Sequence, residues 1–212
     1  MRYLIFTVVF GLVLSSTAWT EQSFYEPVPE MKYPADNKWS KEKEELGKML
    51  YFDPRLSGSN WISCATCHNP GLGWGDGLPR TIGDGQKELG RHAPTVINSG
   101  YFALQMWDGR KKSLEDQAKG PIGAAAEMNQ DYNDLLKELK AIPGYVKRFT
   151  SVFGENSLTI DNIAKAIATF ERSVVSKNSP YDKYWAGNKS AMSSSAINGM
   201  NLFFGKAKCS IC

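Results

Sequence analysis

A chain of 212 residues, 42% of them hydrophobic and 12% aromatic, is long enough to bury one good core and to begin a second domain. A formal charge of only +3 is too small to argue for nucleic acid or an anionic membrane surface as the partner. Four cysteines arranged as two C-x-x-C pairs point instead to chemistry that uses thiols in twos.

Residues 1–18 read as a secretory signal. Arg2 supplies the positive start, residues 4–14 form an apolar run too short to span a bilayer, and Ser16-Thr17-Ala18 offers small residues for cleavage near Ala18. An uncleaved anchor is the alternative. No later segment is long and apolar enough to cross a membrane, so export to the periplasm is expected. Residues 19–39, rich in Pro, Glu and Lys without periodicity, read as an extended lead-in. Ser40 has the chemistry of an N-cap, with Glu42 and Glu44 in the first turn of a helix that carries Leu46, Met49 and Leu50 and closes near Asp53-Pro54. Residues 56–100 are dense in Gly, Pro, Asn and Ser and read as loop. So long a loop counts against a compact domain unless it wraps something.

Helical patterning resumes at Ser113, a second cap. Leu135, Leu136 and Leu139 share one side of residues 131–139, and Tyr145, Val146, Phe149 and Phe153 continue the pattern to Gly154. The clearest amphipathic helix spans 159–175, with Ile160, Ile163, Ala164, Ile167, Phe170 and Val174 on one face. Residues 177–195 read as a polar linker, and a last helix over 196–204 leads to the terminal cysteines. No alternating strand pattern occurs, so the expected fold is all-α.

Inside the long loop stands Cys64-Ala65-Thr66-Cys67-His68, the C-x-x-C-H pattern of covalent haem attachment. Two thiols three positions apart can each add to one porphyrin vinyl group, and the histidine that follows directly can then ligate the iron. A cysteine zinc site would need closer pairs, a thioredoxin-like motif a βαβ context, and disulfides would leave His68 unused. The second pair, Cys209-Ser210-Ile211-Cys212, ends before the position where a histidine would stand, so taken alone it stays open between haem attachment and another use.

Around these cysteines the chain resembles the bacterial di-haem cytochrome c peroxidase and MauG family. The matching runs are Leu46 to Asp53 (LGKMLYFD), Arg91-His92-Ala93-Pro94-Thr95, Trp107-Asp108-Gly109-Arg110, Glu127-Met128 and the approach Gly199 to Gly205 (GMNLFFG) before Cys209. The resemblance implies a cytochrome c-like haem domain over 40–190 with long haem-wrapping loops, and the start of a second such domain over 191–212. On that reading the chain is a fragment that stops at the second of two haem c groups, with Cys209 and Cys212 as its attachment cysteines, and is inactive alone. By resemblance, Cys64 and Cys67 hold the first haem, His68 is its proximal iron ligand, and this is the haem that reacts with hydrogen peroxide. Gln105 and Glu127 match the distal glutamine and glutamate, and Trp107 the tryptophan that relays electrons between haems. The chemistry agrees: a carboxylate in a partly desolvated pocket can take the first peroxide proton and return it to the leaving oxygen, while an amide can hold peroxide without titrating. Asp108 and Arg110 are expected to fix a turn or bind a propionate.

Two departures from the family pattern carry expectations. Many family peroxidases place a second iron-binding histidine in the loop before Ala93-Pro94-Thr95, whereas residues 71–91 contain none, so the first haem is expected to be open to peroxide. His92 occupies a position where other members have an asparagine that lends an oxygen to calcium. Imidazole has no oxygen to lend, which argues against calcium there and favours a structural or supporting role for His92, with ligation of the iron as the alternative. The leading function is a periplasmic peroxidase fed by a small cytochrome c or cupredoxin, and the resemblance allows a homodimer. A MauG-like enzyme that oxidises residues of a partner protein is the rival within the family. A non-catalytic electron carrier is the rival outside it, and Gln105 with Glu127 argues against that.

Overall fold

The computed structural model describes residues 28–211; the expected export signal, the first part of the expected lead-in and Cys212 lie outside the described residues. Helices and short 3-10 turns make up the regular structure, joined by long loops with a few isolated bridges, and no strand occurs among the described residues. The all-α expectation therefore holds. The chain divides into two compact units, one over Glu30–Lys177 and another that includes residues 178–211.

Six helices belong to the larger unit: α1 (Lys41–Tyr51), α2 (Cys64–Cys67), α3 (Leu114–Gly123), α4 (Tyr132–Lys140), α5 (Pro143–Phe153) and α6 (Ile160–Glu171). Four of them, α1, α3, α4 and α6, start at side chains that bond free amide groups. Ser40 Oγ accepts from the Lys43 amide at 3.2 Å, Ser113 Oγ from that of Asp116 at 3.1 Å, and Thr159 Oγ1 from that of Asn162 at 3.2 Å. Asp131 caps α4 through two amides, Asn133 at 2.8 Å and Asp134 at 3.1 Å. The apolar faces then meet in one core, where Leu46, Leu50, Ile122, Leu135, Leu139, Phe149, Ile163 and Ile167 are buried. Met49 and Val146 are the exceptions to the expected faces and stand exposed.

Packing is closest where α1 crosses α6. A Cβ on Gly47 would lie 1.9 Å from the carbonyl oxygen of Ala166, so only a glycine lets the two backbones approach this far. Replacing an ordinary helical glycine by alanine gains about 1 kcal/mol in propensity. Here Gly47→Ala is expected to do the opposite and cost about 1–3 kcal/mol through overpacking. Urea denaturation of the purified protein measures the sign, and a stabilised variant would show that the crossing can open without loss.

The sixth helix ends sooner than its apolar stripe. It stops at Glu171 rather than near Val175, because the chain is drawn away to a loop: the Asn98 amide donates to the Val174 carbonyl at 2.9 Å and the Ser176 amide to Asn98 Oδ1 at 2.9 Å. The segment before α1 also carries core material. Asn37 is buried and donates to Glu115 Oε1 at 2.7 Å and to the Lys165 carbonyl at 3.0 Å.

In the other unit, α7 (Pro180–Trp185) lies inside the stretch expected to be a polar linker. Its signal is a capping box: the Asp182 amide donates to Ser179 Oγ at 3.1 Å and the Ser179 amide to Asp182 Oδ2 at 2.8 Å, with Pro180 at the first helical position. Helix α8 (Ser194–Phe204) begins two residues before its expected start, capped by Ser193. Cys209 follows in a 3-10 turn, exposed and unpaired.

Candidate functional site

Between α1 and α3 the loops of the larger unit surround a cavity of about 650 Å³, within the roughly 300–1,000 Å³ usual for cofactor pockets. Helix α2 is a single turn on its wall. The turn is closed by the Ser63 amide donating to Thr66 Oγ1 at 3.0 Å and by the His68 amide donating to the Cys64 carbonyl at 3.0 Å. Residues three apart on a helix share a face, and both Cys64 and Cys67 line the cavity with unpaired thiols. Burial pushes these thiols up, Cys64 to about 12 and Cys67 to about 11, with Glu171 adding to the first and Asp76 to the second. They are neutral near pH 7, unlike the thiolates of redox pairs and zinc sites.

His68 follows immediately and is held at both ends. Its Nδ1 lies 2.9 Å from the Pro94 carbonyl oxygen. A carbonyl can only accept, so the proton is assigned to Nδ1 and Nε2 keeps its lone pair. The backbone carbonyl of His68 accepts from the Tyr51 hydroxyl at 3.2 Å, tying the residue to the end of α1. Burial lowers the imidazole below its ordinary value, against opposing bonds to the carbonyls of Pro94 and Trp74. Two thiols on one helical face beside an imidazole with a fixed tautomer are the donor set that haem c requires, so the residues present fit that group.

The cavity also receives Gln105, Trp107, His92 and Glu127. Gln105 is buried, and its side-chain amide donates to the carbonyls of Ser99 at 3.0 Å and Phe102 at 3.4 Å. Those two bonds occupy its N–H groups and leave Oε1 as the end able to accept from a ligand. Met106 and Gly109 adopt left-handed backbone in the turn that follows, and Asp108 secures it by accepting from Arg110 Nη1 at 2.8 Å and from Arg91 Nη1 at 3.1 Å. The expected turn role of Asp108 and Arg110 is thus realised. Trp107 is half exposed and stacks on His92 with ring centroids 4.9 Å apart, while its indole N–H donates to the His92 carbonyl at 3.0 Å.

Glu127 sits on the turn after α3. That turn folds back because the Met128 amide reaches the Pro121 carbonyl at 3.1 Å and the Gln130 amide the Ile122 carbonyl at 2.9 Å. Gly83 passes directly against it: a Cβ there would lie 2.0 Å from the Ala126 oxygen, and the next amide, Asp84, donates to the Glu127 carbonyl at 2.7 Å. Burial raises the Glu127 carboxyl above its ordinary value, and the Arg110 guanidinium opposes that rise. Sequence reasoning did not single out Glu171, which also lines the cavity and is buried. It could have been found, because it stands four residues beyond Ile167 on the apolar face of α6.

The sequence expectation extends across this architecture. A model of the di-haem cytochrome c peroxidase family matches residues 41–190, and the chain belongs to that family. It is 46% identical over 188 residues to a methylamine utilization protein MauG of Methylorubrum extorquens, covering 88% of this chain and 52% of that protein. A cytochrome c551 peroxidase of Nitrosomonas europaea is 45% identical over 161 residues, 76% of this chain and 48% of the relative. Among solved structures, a MauG-like protein associated with microbial copper homeostasis superposes with a TM-score of 0.81 at 31% identity, covering 87% of this chain and 55% of that one. The chain thus spans about half the length of these relatives. Membership implies haem c as the cofactor.

Proposed function

We propose that this chain carries the peroxide-reacting haem domain of an exported di-haem peroxidase, which reduces hydrogen peroxide to water. Two electrons would come, one at a time, from a small cytochrome c or cupredoxin, and two protons from solvent complete two waters. The observation that supports this most is convergence: Cys64, Cys67, His68, Gln105 and Glu127 line one cavity. Cys64 and Cys67 would form the two thioether links, His68 Nε2 would bind the iron, and Arg91 and Arg110 are the guanidinium groups lining the cavity that suit the haem carboxylates. Bound haem supplies the redox equivalents that cleave the O–O bond. Glu127 would take a proton from one peroxide oxygen and return it to the other as the O–O bond breaks. Gln105 Oε1 accepts from a peroxide O–H and orients it. Trp107, stacked on His92, would relay electrons to the first haem, and Cys209 and Cys212 would be the attachment cysteines of a second. His92 supports the Trp107 ring and is not assigned to iron or calcium.

A MauG-like reading, in which the same oxidising power acts on residues of a partner protein, draws support from the 46% identity to a MauG and from the absence of histidine between residues 71 and 91. The assay that tests the peroxidase reading is peroxide turnover by the haem-loaded, full-length gene product with reduced cytochrome c as donor. Rapid donor oxidation and an oxidised first haem without a second strong axial ligand are expected. A first haem that is purely low-spin and bis-histidine, with no peroxide consumption, would defeat it.

A further inference from the structure

A carboxyl group at the end of α6 has no use in the reaction described above. Glu171 is 7% exposed, and its Oε2 is fully enclosed without a hydrogen-bond partner. Its neighbour Arg172 would be the obvious counter-charge but is committed elsewhere, donating through Nη1 and Nη2 to the two oxygens of Glu115 at 2.6 and 3.0 Å. Glu171 is also the last residue of its helix, where the negative end of the helix dipole disfavours an anion. It lines the same cavity as Cys64, Cys67 and His68. Burial of a carboxylate oxygen without a hydrogen bond is costly, so burial favours the neutral acid.

The charged and titratable groups around it come from each neighbouring element. They are Arg172 beside it, Glu115 on α3, Tyr51 on α1 and Cys64 on α2. Burial raises the carboxyl to about 8; Arg172 opposes the rise and Glu115 adds to it. A haem bound in this cavity changes by one positive charge between its oxidised and reduced forms. That charge acts through an interior of low dielectric on a carboxyl whose Oε2 has no hydrogen-bond partner.

Building on the haem reading above, we infer that Glu171 is a redox-linked proton site: it binds one solvent proton when the haem in this cavity takes one electron, and releases it on reoxidation. The electron comes from a one-electron donor such as a reduced c-type cytochrome. The direction follows from charge. The oxidised haem favours the carboxylate and the reduced haem favours the acid, so electron and proton arrive together. Binding of each therefore strengthens binding of the other by the same factor. The coupling gives the net protons consumed in peroxide reduction an uptake point on the protein, separate from the internal transfer assigned to Glu127.

The experiment is a spectroelectrochemical titration of the first haem in the haem-loaded, full-length protein, between about pH 6 and about pH 10 to bracket the buried carboxyl. The midpoint potential is expected to fall with pH, with a limiting slope of about 59 mV per unit, the equivalent of a tenfold change in the one-electron equilibrium. Glu171→Gln should flatten the slope, Glu171→Asp should keep it with a displaced window, and Glu127→Gln should leave it in place. A slope that survives Glu171→Gln, or one abolished by Glu127→Gln, overturns the assignment. Should Glu171→Gln fail to mature, the redox-difference infrared spectrum of the parent decides. Loss on oxidation of a protonated-carboxyl band that persists in Glu127→Gln supports Glu171, and a carboxyl region that is unchanged on oxidation, or whose band vanishes with Glu127→Gln, overturns it. A product carrying no covalent haem at Cys64 and Cys67 refutes the haem reading instead, which a pyridine haemochrome spectrum reports before any titration.

Discussion

Glu127→Gln is expected to slow the reaction of the haem-loaded protein with hydrogen peroxide by about 10²–10⁴-fold, the range contributed by a positioned proton-transfer group. Glutamine keeps the size and can still accept a hydrogen bond, so loss of rate isolates the proton. The turn that carries the residue is fixed by backbone bonds, Glu127 N–H to the Ala124 carbonyl at 2.9 Å and Asp84 N–H to the Glu127 carbonyl at 2.7 Å, none of which the substitution touches. The haem spectrum should therefore stay as it was. Burial holds the Glu127 carboxyl above its ordinary value, and only the ionised form can accept the proton. The parent rate should accordingly climb with pH through that raised value, and the variant should lose this limb. Stopped-flow measurement of peroxide reaction against pH reads both effects; a loss under about tenfold with the limb intact would assign the transfer elsewhere.

The second large effect concerns stability. Arg172 and Glu115 form a two-pronged pair whose side chains are only 6% and 17% exposed, and Asn37 bonds the same carboxylate at 2.7 Å. Removing one member leaves the other buried and uncompensated, so Arg172→Met is expected to cost about 3–5 kcal/mol. Replacing both by apolar groups of similar volume removes the stranded charge, so Arg172→Met with Glu115→Leu should recover most of the loss. Burial would raise the Glu115 carboxyl, but the bonds from Arg172 and Asn37 outweigh it and hold it below its ordinary value. A depressed carboxyl contributes stability that is present above the ordinary carboxylate range and fades as pH falls through the folded value. Without the guanidinium that depression disappears, so the deficit of the single variant should shrink in acid. Urea denaturation at neutral and acid pH measures this. A double variant as weak as the single one would place the cost in packing and not in charge.

Much of the helical frame was legible because its determinants are local. Ser40, Ser113, Asp131 and Thr159 cap helices through bonds within three residues of themselves, and the Ile163 and Ile167 stripe is a periodicity. The cavity was legible for a different reason: the covalent chemistry of haem imposes a short motif, and the resemblance supplied Gln105 and Glu127. What escaped depends on partners distant in the chain. Helix α6 stops where Asn98 captures the chain leaving it, and Asn37 is core because Glu115 and Lys165 meet it there. Helix α7 escaped although its signal is local, since a six-residue helix opened by a capping box has too little apolar periodicity to show as a pattern. Glu171 was passed over because an acid at the end of a helix usually faces water; its burial follows from packing against α1 and α3.

Gly47 has a bearing beyond stability. Tyr51 stands one helical turn further along α1, and its hydroxyl grips the backbone of His68. The imidazole that would hold iron is therefore aligned against a datum set by two crossing helices, while the loops round the cavity follow. A displacement of α1 too small to unfold anything would reach His68 as a tilt of its ring, so the absent methyl group at Gly47 sets part of the tolerance of the proposed haem site.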